Sequence, residues 1–288
     1  GLTMLNDQQL SQQIEDALVA RNPRGMAQVQ PALDAGYCLR AAQILQTCIK
    51  GTSGSTVLIG TGFPVVGTFE TDGPVGAIAL YQCLEELGAV PIIVCGEPLV
   101  GALSARYRTH KIELGISDNI AAQTLAALEL LNPQAIVSIE RPGQAQDGGY
   151  YNMRGESISQ GTACFDSYMN LAKCPTIAVG DGGNEIGMGK VIHALEKLDI
   201  VPAITQADEL IIADVSNWGA YGMIAFLGLW HRHDLLAKIE PLSILQYLSD
   251  LGSVDGVTRI NQLTEDGLPV SEGQSVINQL RQITGFCD

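Results

Sequence analysis

Long apolar runs are missing from this chain of 288 residues. The longest, such as 223–230, stay near eight residues, far short of the ~20 that a membrane-crossing helix needs, so no membrane partner is expected. Basic residues are scarce too. Sixteen Lys and Arg face 31 Asp and Glu, a formal charge of −15, which repels phosphate backbones and anionic lipid and excludes nucleic acid as a partner. The seven cysteines are odd in number and contain no Cys-x-x-Cys. That excludes a disulfide framework and a zinc cluster, and points to a reducing cytoplasm. Of four histidines, His231 and His233 lie two apart and point to different faces, while His110 and His193 stand alone. None makes a convincing metal pair. The N-terminal stretch has no basic region followed by an apolar one, so no secretory signal is expected.

What is present is a hydrophobic content of 46% and a mean hydropathy of +0.17, as expected when strands are buried on both faces. Short apolar runs at 56–59, 90–95, 135–139, 176–179 and 209–213 read as strands, with a further candidate at 111–114. Between them the 3.6-residue spacing predicts helices at 75–87, from a Ser117 or Asp118 cap to 131, and at 190–198, 223–236 and 241–251. Two more, 6–19 and 31–49, precede the first strand as a helical cover, and Ser271 with Gln274 resembles a capping box for a last helix over 276–283. No repeat, linker or low-complexity tract interrupts the series. The expectation is one α/β domain over 1–288, with cover at 1–50, alternation at 56–285, and an open, mainly parallel sheet carrying helices on both faces. Oligomeric state leaves no signature.

The series centres on Gly180-Asp181-Gly182-Gly183-Asn184-Glu185-Ile186-Gly187-Met188-Gly189, a strand-to-helix crossing. Its glycines let the backbone turn sharply and approach a ligand, and the helix start behind them offers free N–H groups. A dinucleotide fingerprint would need glycine where Glu185 stands, and a P-loop would need one where Asn184 stands. Asp181, Asn184 and Glu185 instead supply oxygen donors of the kind that hard divalent cations take. Gly62, Gly182, Gly183 and Asn184 are candidates for contact with substrate.

The right-handed crossover rule puts every strand-to-helix loop at one edge of the sheet. Glu70, Asp72, Glu97, Glu140, Asp181, Glu185 and Asp214 all lie in such loops. A capping role for Asp72, ahead of Pro74, is the structural alternative. Carboxylates gathered at one edge raise each other's pKa unless a cation neutralises them. Oxygen donors without a His or Cys set point to Mg²⁺ or Mn²⁺, with Glu70, Asp72, Glu140, Asp181 and Glu185 as candidate ligands. After 139 comes a stretch of about twenty residues with little apolar periodicity, long enough to suggest a functional loop. It holds Arg141, Tyr150, Tyr151 and Arg154, which can fix a small acidic substrate or close over it.

Together with the 180–189 loop, Gly60-Thr61-Gly62-Phe63-Pro64, Glu70-Thr71-Asp72-Gly73-Pro74, Glu140-Arg141-Pro142-Gly143 and Tyr151-Asn152-Met153-Arg154-Gly155 resemble the D-glutamate cyclase family. The likeness is to its C-terminal conserved domain, in stand-alone form, since mammalian members carry a further N-terminal domain that resembles a hydro-lyase. The resemblance implies conversion of D-glutamate to 5-oxo-D-proline, with a divalent metal, manganese above all, held by acids such as Asp72, Glu140, Asp181 and Glu185. In that reaction Glu185 or Asp214 would accept the amine proton, and Arg141 or Arg154 would hold the α-carboxylate. Stand-alone relatives suggest an alternative, a manganese-dependent phosphatase. Gly180-Asp181-Gly182-Gly183-Asn184-Glu185 also resembles the metal-binding motif of haloacid-dehalogenase phosphatases, but their Asp-x-Asp nucleophile motif is absent. A binding module without turnover is the remaining alternative.

Overall fold

The computed structural model describes residues 5–51 and 54–287. Among them, six strands form one sheet: β1 (Thr56–Thr61), β2 (Val90–Cys95), β3 (Thr109–Lys111), β4 (Ala135–Ile139), β5 (Thr176–Gly180) and β6 (Glu209–Ile212). Their order is β3-β2-β1-β4-β5-β6 and every pairing is parallel. The chain is therefore an α/β protein with an open parallel sheet. The strand order reverses between β1 and β4, which opens a crevice beyond the carboxyl ends of the strands.

β4 and β5 are buried at every position, so both faces need cover. The described α-helices of five or more residues are α1 (Asp7–Leu18), α2 (Tyr37–Lys50), α3 (Pro74–Glu86), α4 (Leu99–Leu103), α5 (Ile120–Leu131), α6 (Asp166–Leu171), α7 (Ser216–His231), α8 (Pro241–Asp250) and α9 (Val270–Ile283). On one face Val179 meets α7 at Gly219, where an added Cβ would lie 2.4 Å from it. Its neighbour Ala178 points the other way, to Gly187, where an added Cβ would lie 2.3 Å from Ala178. Gly187 also has a φ of 99°, so glycine is required there twice over. No helix among the described residues is long and apolar enough to cross a membrane.

Several boundaries differ from the sequence reading, each for a local reason. The helix expected over 31–49 is broken. Gln30–Ala32 is a single 3₁₀ turn, and α2 starts only at Tyr37, where the buried Glu15 carboxylate of α1 accepts the N–H groups of Gly36 (3.1 Å) and Cys38 (3.0 Å). The 190–198 segment is a 3₁₀ stretch, Met188–Leu195, kinked at Val191. The helix expected from 223 starts seven residues earlier, at Ser216, and the last begins at Val270 behind Pro269, which leaves Ser271 inside the helix rather than capping it. The edge strand β3 is Thr109–Lys111 rather than 111–114.

Asp72 does not cap its own helix either. Gly73 is the cap of α3 and makes no side-chain bond there. Asn217 does that work from the neighbouring helix, its Oδ1 accepting Gly73 N–H (2.7 Å) and Gly76 N–H (2.8 Å) while its Nδ2 donates to Glu265 (2.6 Å). Replacing Asn217 with Ala strands two buried donors and a carboxylate, each costing about 1–3 kcal/mol. The expected loss for Asn217→Ala is at least ~3 kcal/mol, read from the urea midpoint against wild type.

Candidate active site

The loop after β5 folds around its own carboxylate. Glu185, fully buried, accepts the N–H groups of Asp181 (2.7 Å), Gly182 (2.9 Å) and Gly183 (2.7 Å). The anion that this glycine nest holds is thus part of the chain, and the nest fixes Asp181 at the sheet edge. From there Asp181 joins Asp72, carried on the segment after β1, and Glu140, the residue after β4. One oxygen of each lies within 4.8 Å of the other two. Glu70, Asp72 and Asp266 form a second such triad, so Asp72 belongs to both. Asp266 sits in a two-residue turn between Thr264–Glu265 and Leu268–Pro269, with φ of 49° at Asp266 and 76° at Gly267.

Burial keeps these acids from water, and three features answer their repulsion. First, α7 aims its start at them: Ser216 N–H lies 3.3 Å from Asp72 and 3.2 Å from Asp181, and Asn217 N–H donates to Asp72 at 3.0 Å, where the helix dipole favours negative charge. Second, Arg24 reaches in from the segment before α2. It donates to the Asp181 carbonyl (3.2 Å) and to that of Asp214, pairs with Asp266 at 2.8 Å and lies 3.6 Å from the Asp181 carboxylate. Third, the acids share charge unequally. Burial raises Asp181, but Arg24 and hydrogen bonds from neighbouring carboxyls outweigh it and bring it down to about 2. Burial, then the charge of Asp181, pushes Glu140 well above the usual carboxylate range. For Glu70 and Asp72, burial and then Asp266 do the same. Burial and Asp181 lift Glu185 to about 7.

Apart from Asp72 and Glu185, which are fully buried, these acids form the floor of a cleft of about 510 Å³. Glu70, Glu140, Asp181, Asn184 and Arg154 line it, as do Arg24 and Asp266, which the sequence reading did not include. Other candidates lie elsewhere. Asp214 turns to the end of α1, accepting Arg21 N–H (2.8 Å) and Asn22 N–H (2.9 Å). Arg141 is buried, donates to the carbonyls of Thr61, Gly62 and Ala163 and stands over the Phe165 ring, holding β1 to the loop after β4. Gly62 lies beside Arg141 and Leu99, outside the cleft, and Glu97 is half exposed at 4.0 Å from Lys111. Gly182 rests under Met153 and Gly183 under Ile200. Asn184 donates to the Tyr151 carbonyl at 3.0 Å. Gly256 was also missed: a Cβ there would lie 1.6 Å from Glu70 Oε2.

A family model described as D-glutamate cyclase-like, C-terminal, matches residues 14–281. The chain belongs to that family. It is also similar to the human mitochondrial D-glutamate cyclase, at 33% identity over 67% of this chain and 36% of that protein. The chain thus spans about a third of the length of that relative.

The donor set of this family member fits a divalent cation. It consists of oxygens alone, and Glu140 Oε1 is buried without a hydrogen-bond partner, as a carboxylate awaiting an ion would be. Without a cation the raised carboxyls bind protons that they would lose in the unfolded chain. Between 4.5 and its folded value, the native state holds the Glu140 proton and the unfolded state does not, so Glu140 costs stability as pH rises. In chelator, Glu140→Gln should therefore gain on wild type as pH rises from about 5 to about 8, by up to ~1.4 kcal/mol per pH unit. Urea midpoints of the two proteins across that range check it, and a constant difference would contradict it.

Proposed function

We propose that this chain is a metal-dependent enzyme acting on a small acidic substrate, and that its reaction is the cyclisation of D-glutamate to 5-oxo-D-proline. The observation that carries this is the pair of carboxylate triads sharing Asp72, buried except for the half-buried Asp266, one of them containing the unpartnered Glu140 oxygen, at the mouth of the sheet's switch point. Family membership and the human relative's name support the reaction. Mn²⁺ or Mg²⁺ is the ion that suits all-oxygen ligands, and Glu70, Asp72, Glu140, Asp181 and Asp266 would hold it. When bound, such an ion supplies positive charge that polarises a carboxyl group and eases the build-up of negative charge on it.

The reaction joins the α-nitrogen to the carbon of the γ-carboxylate and expels one oxygen of that group as water, taking two ammonium protons with it. Glu140 lines the cleft, and with Oε1 given to the ion we assign its other oxygen to take a proton from the ammonium and return it to the departing oxygen. Glu185, committed to three N–H groups, shapes the loop instead. Arg24 presents a guanidinium at the same floor, suited to the α-carboxylate. The shared Asp72 would also suit two ions over a phosphoryl oxygen, which makes a phosphatase the second reading.

Purified protein with Mn²⁺ and either D-glutamate or a panel of phosphate esters separates the readings. Oxoproline without phosphate release is expected, with loss of turnover in chelator; phosphate release alone would favour the phosphatase, and saturable binding without either product a binding module. Glu140→Gln should lower oxoproline formation by at least ~10²-fold. Asp181→Asn should lose bound Mn²⁺ on elemental analysis while keeping its circular dichroism spectrum. Gly256→Ala should do likewise, because its Cβ displaces Glu70. Full metal content in both variants would remove the acids from the site.

A further inference from the structure

Helix α5 inverts the usual pattern of a surface helix. Nine of its twelve residues are Ala, Leu or Ile, which favours the helix itself, and Asn132 ends it in the left-handed region at φ of 44°. Yet the residues it buries fully are Thr124 and Ala127, with Thr124 Oγ1 meeting Ser167 Oγ at 2.6 Å, while Leu128 and Leu131 are only partly covered. Its other side carries Ala121, Ala122, Leu125, Ala126 and Leu130 to the surface, with Leu125 49% and Leu130 77% exposed. α1 shows the ordinary arrangement, burying Leu10, Ile14 and Leu18 and turning its glutamines to water.

Charge and area indicate what covers that side. Two copies of a chain with a formal charge of −15 repel one another wherever acids face acids, and α5 offers a face with a single charged residue, Glu129. A lipid surface is met by Lys and Arg, of which α5 has none. The strip is about 18 Å long and its apolar part is several hundred Å², a size uncommon on monomers. Two such faces with their rims reach the total of about 1,000 Å² that a specific interface needs.

The strip is also complementary to itself. A two-fold axis between Leu125 and Ala126 lays two α5 helices antiparallel. Leu125 then faces Ala126 of the second copy, Leu130 faces its Ala121, and Glu129 faces its Ala122, so each large side chain meets a small one. The two Glu129 carboxylates lie roughly 10 Å apart along the helices, beyond the Debye length of about 8 Å at physiological salt.

We propose that this chain forms a two-fold dimer through α5, with the two helices antiparallel and in contact at Leu125, Ala126 and Leu130.

Sedimentation equilibrium tests it on the full chain, in a reductant that keeps its free cysteines from linking copies. A reversible monomer–dimer exchange in the micromolar range is expected, and added salt should tighten it by screening the repulsion between two acidic chains. Leu125→Glu with Leu130→Glu should weaken the dimer by more than about 10²-fold and leave the circular dichroism spectrum unchanged, because neither side chain is buried. Leu242→Glu, at a leucine of α8 that is 52% exposed, should leave the dimer as it is. A monomer at every concentration overturns the inference, as does a dimer that the α5 double variant leaves intact, or a monomer that binds phosphatidylcholine vesicles through α5 instead. None of these outcomes bears on the acidic floor.

Discussion

Carboxylates buried against one another are the constraint on which this structure turns. Asp72, Glu140 and Asp181 bring one oxygen each within 4.8 Å in a place that water scarcely reaches, and Asp266 and Glu70 extend the group. Left alone, such a cluster would push its members apart or force them to hold protons. The surrounding elements can be understood as answers to that repulsion. α7 spends its first N–H groups on Asp72 and Asp181 instead of on a cap of its own, and Arg24 is drawn in from the segment before the sheet begins.

The same constraint explains why Glu185 is not interchangeable with the other acids. Its charge is already matched by three converging N–H groups, so it acts as the internal anion that closes the glycine loop. The loop then delivers Asp181, the member of the cluster that stays ionised beside Arg24. Glu140 is the opposite case. It sits at φ of 52° directly after β4, with one oxygen that nothing in the described chain satisfies. A group strained and unpartnered in this way is kept for a ligand rather than for the fold.

Charge is mixed within the cleft. Its acids suit a cation, and Arg24 beside them suits an anion next to that cation. Fixed charges of both signs orient a substrate before any chemistry begins.

Alternation of buried apolar runs with helical spacing was sufficient to predict a parallel α/β sheet, since strands that are apolar at every position need helices on both sides. β2 and β4 could be read to the residue for that reason, and Glu70, Asp72, Glu140 and Asp181 could be singled out because each stands in a loop at a strand's carboxyl end. The Asp266-Gly267 turn also left a readable signal, a tight-turn pair between short extended segments, though nothing local tied it to the other acids. Tertiary structure alone decided the rest. Which face of a loop a side chain takes depends on partners far away in the chain: Asp214 turns to Arg21 and Asn22, Arg141 to the carbonyls of β1, and Asn217 to the start of α3. Arg24 lies 157 residues from Asp181 and carries no local pattern at all. Residue types and periodicity determined the fold and the loops at which the acids stand, whereas the identity of the groups that meet was set by long-range contacts that no spacing encodes.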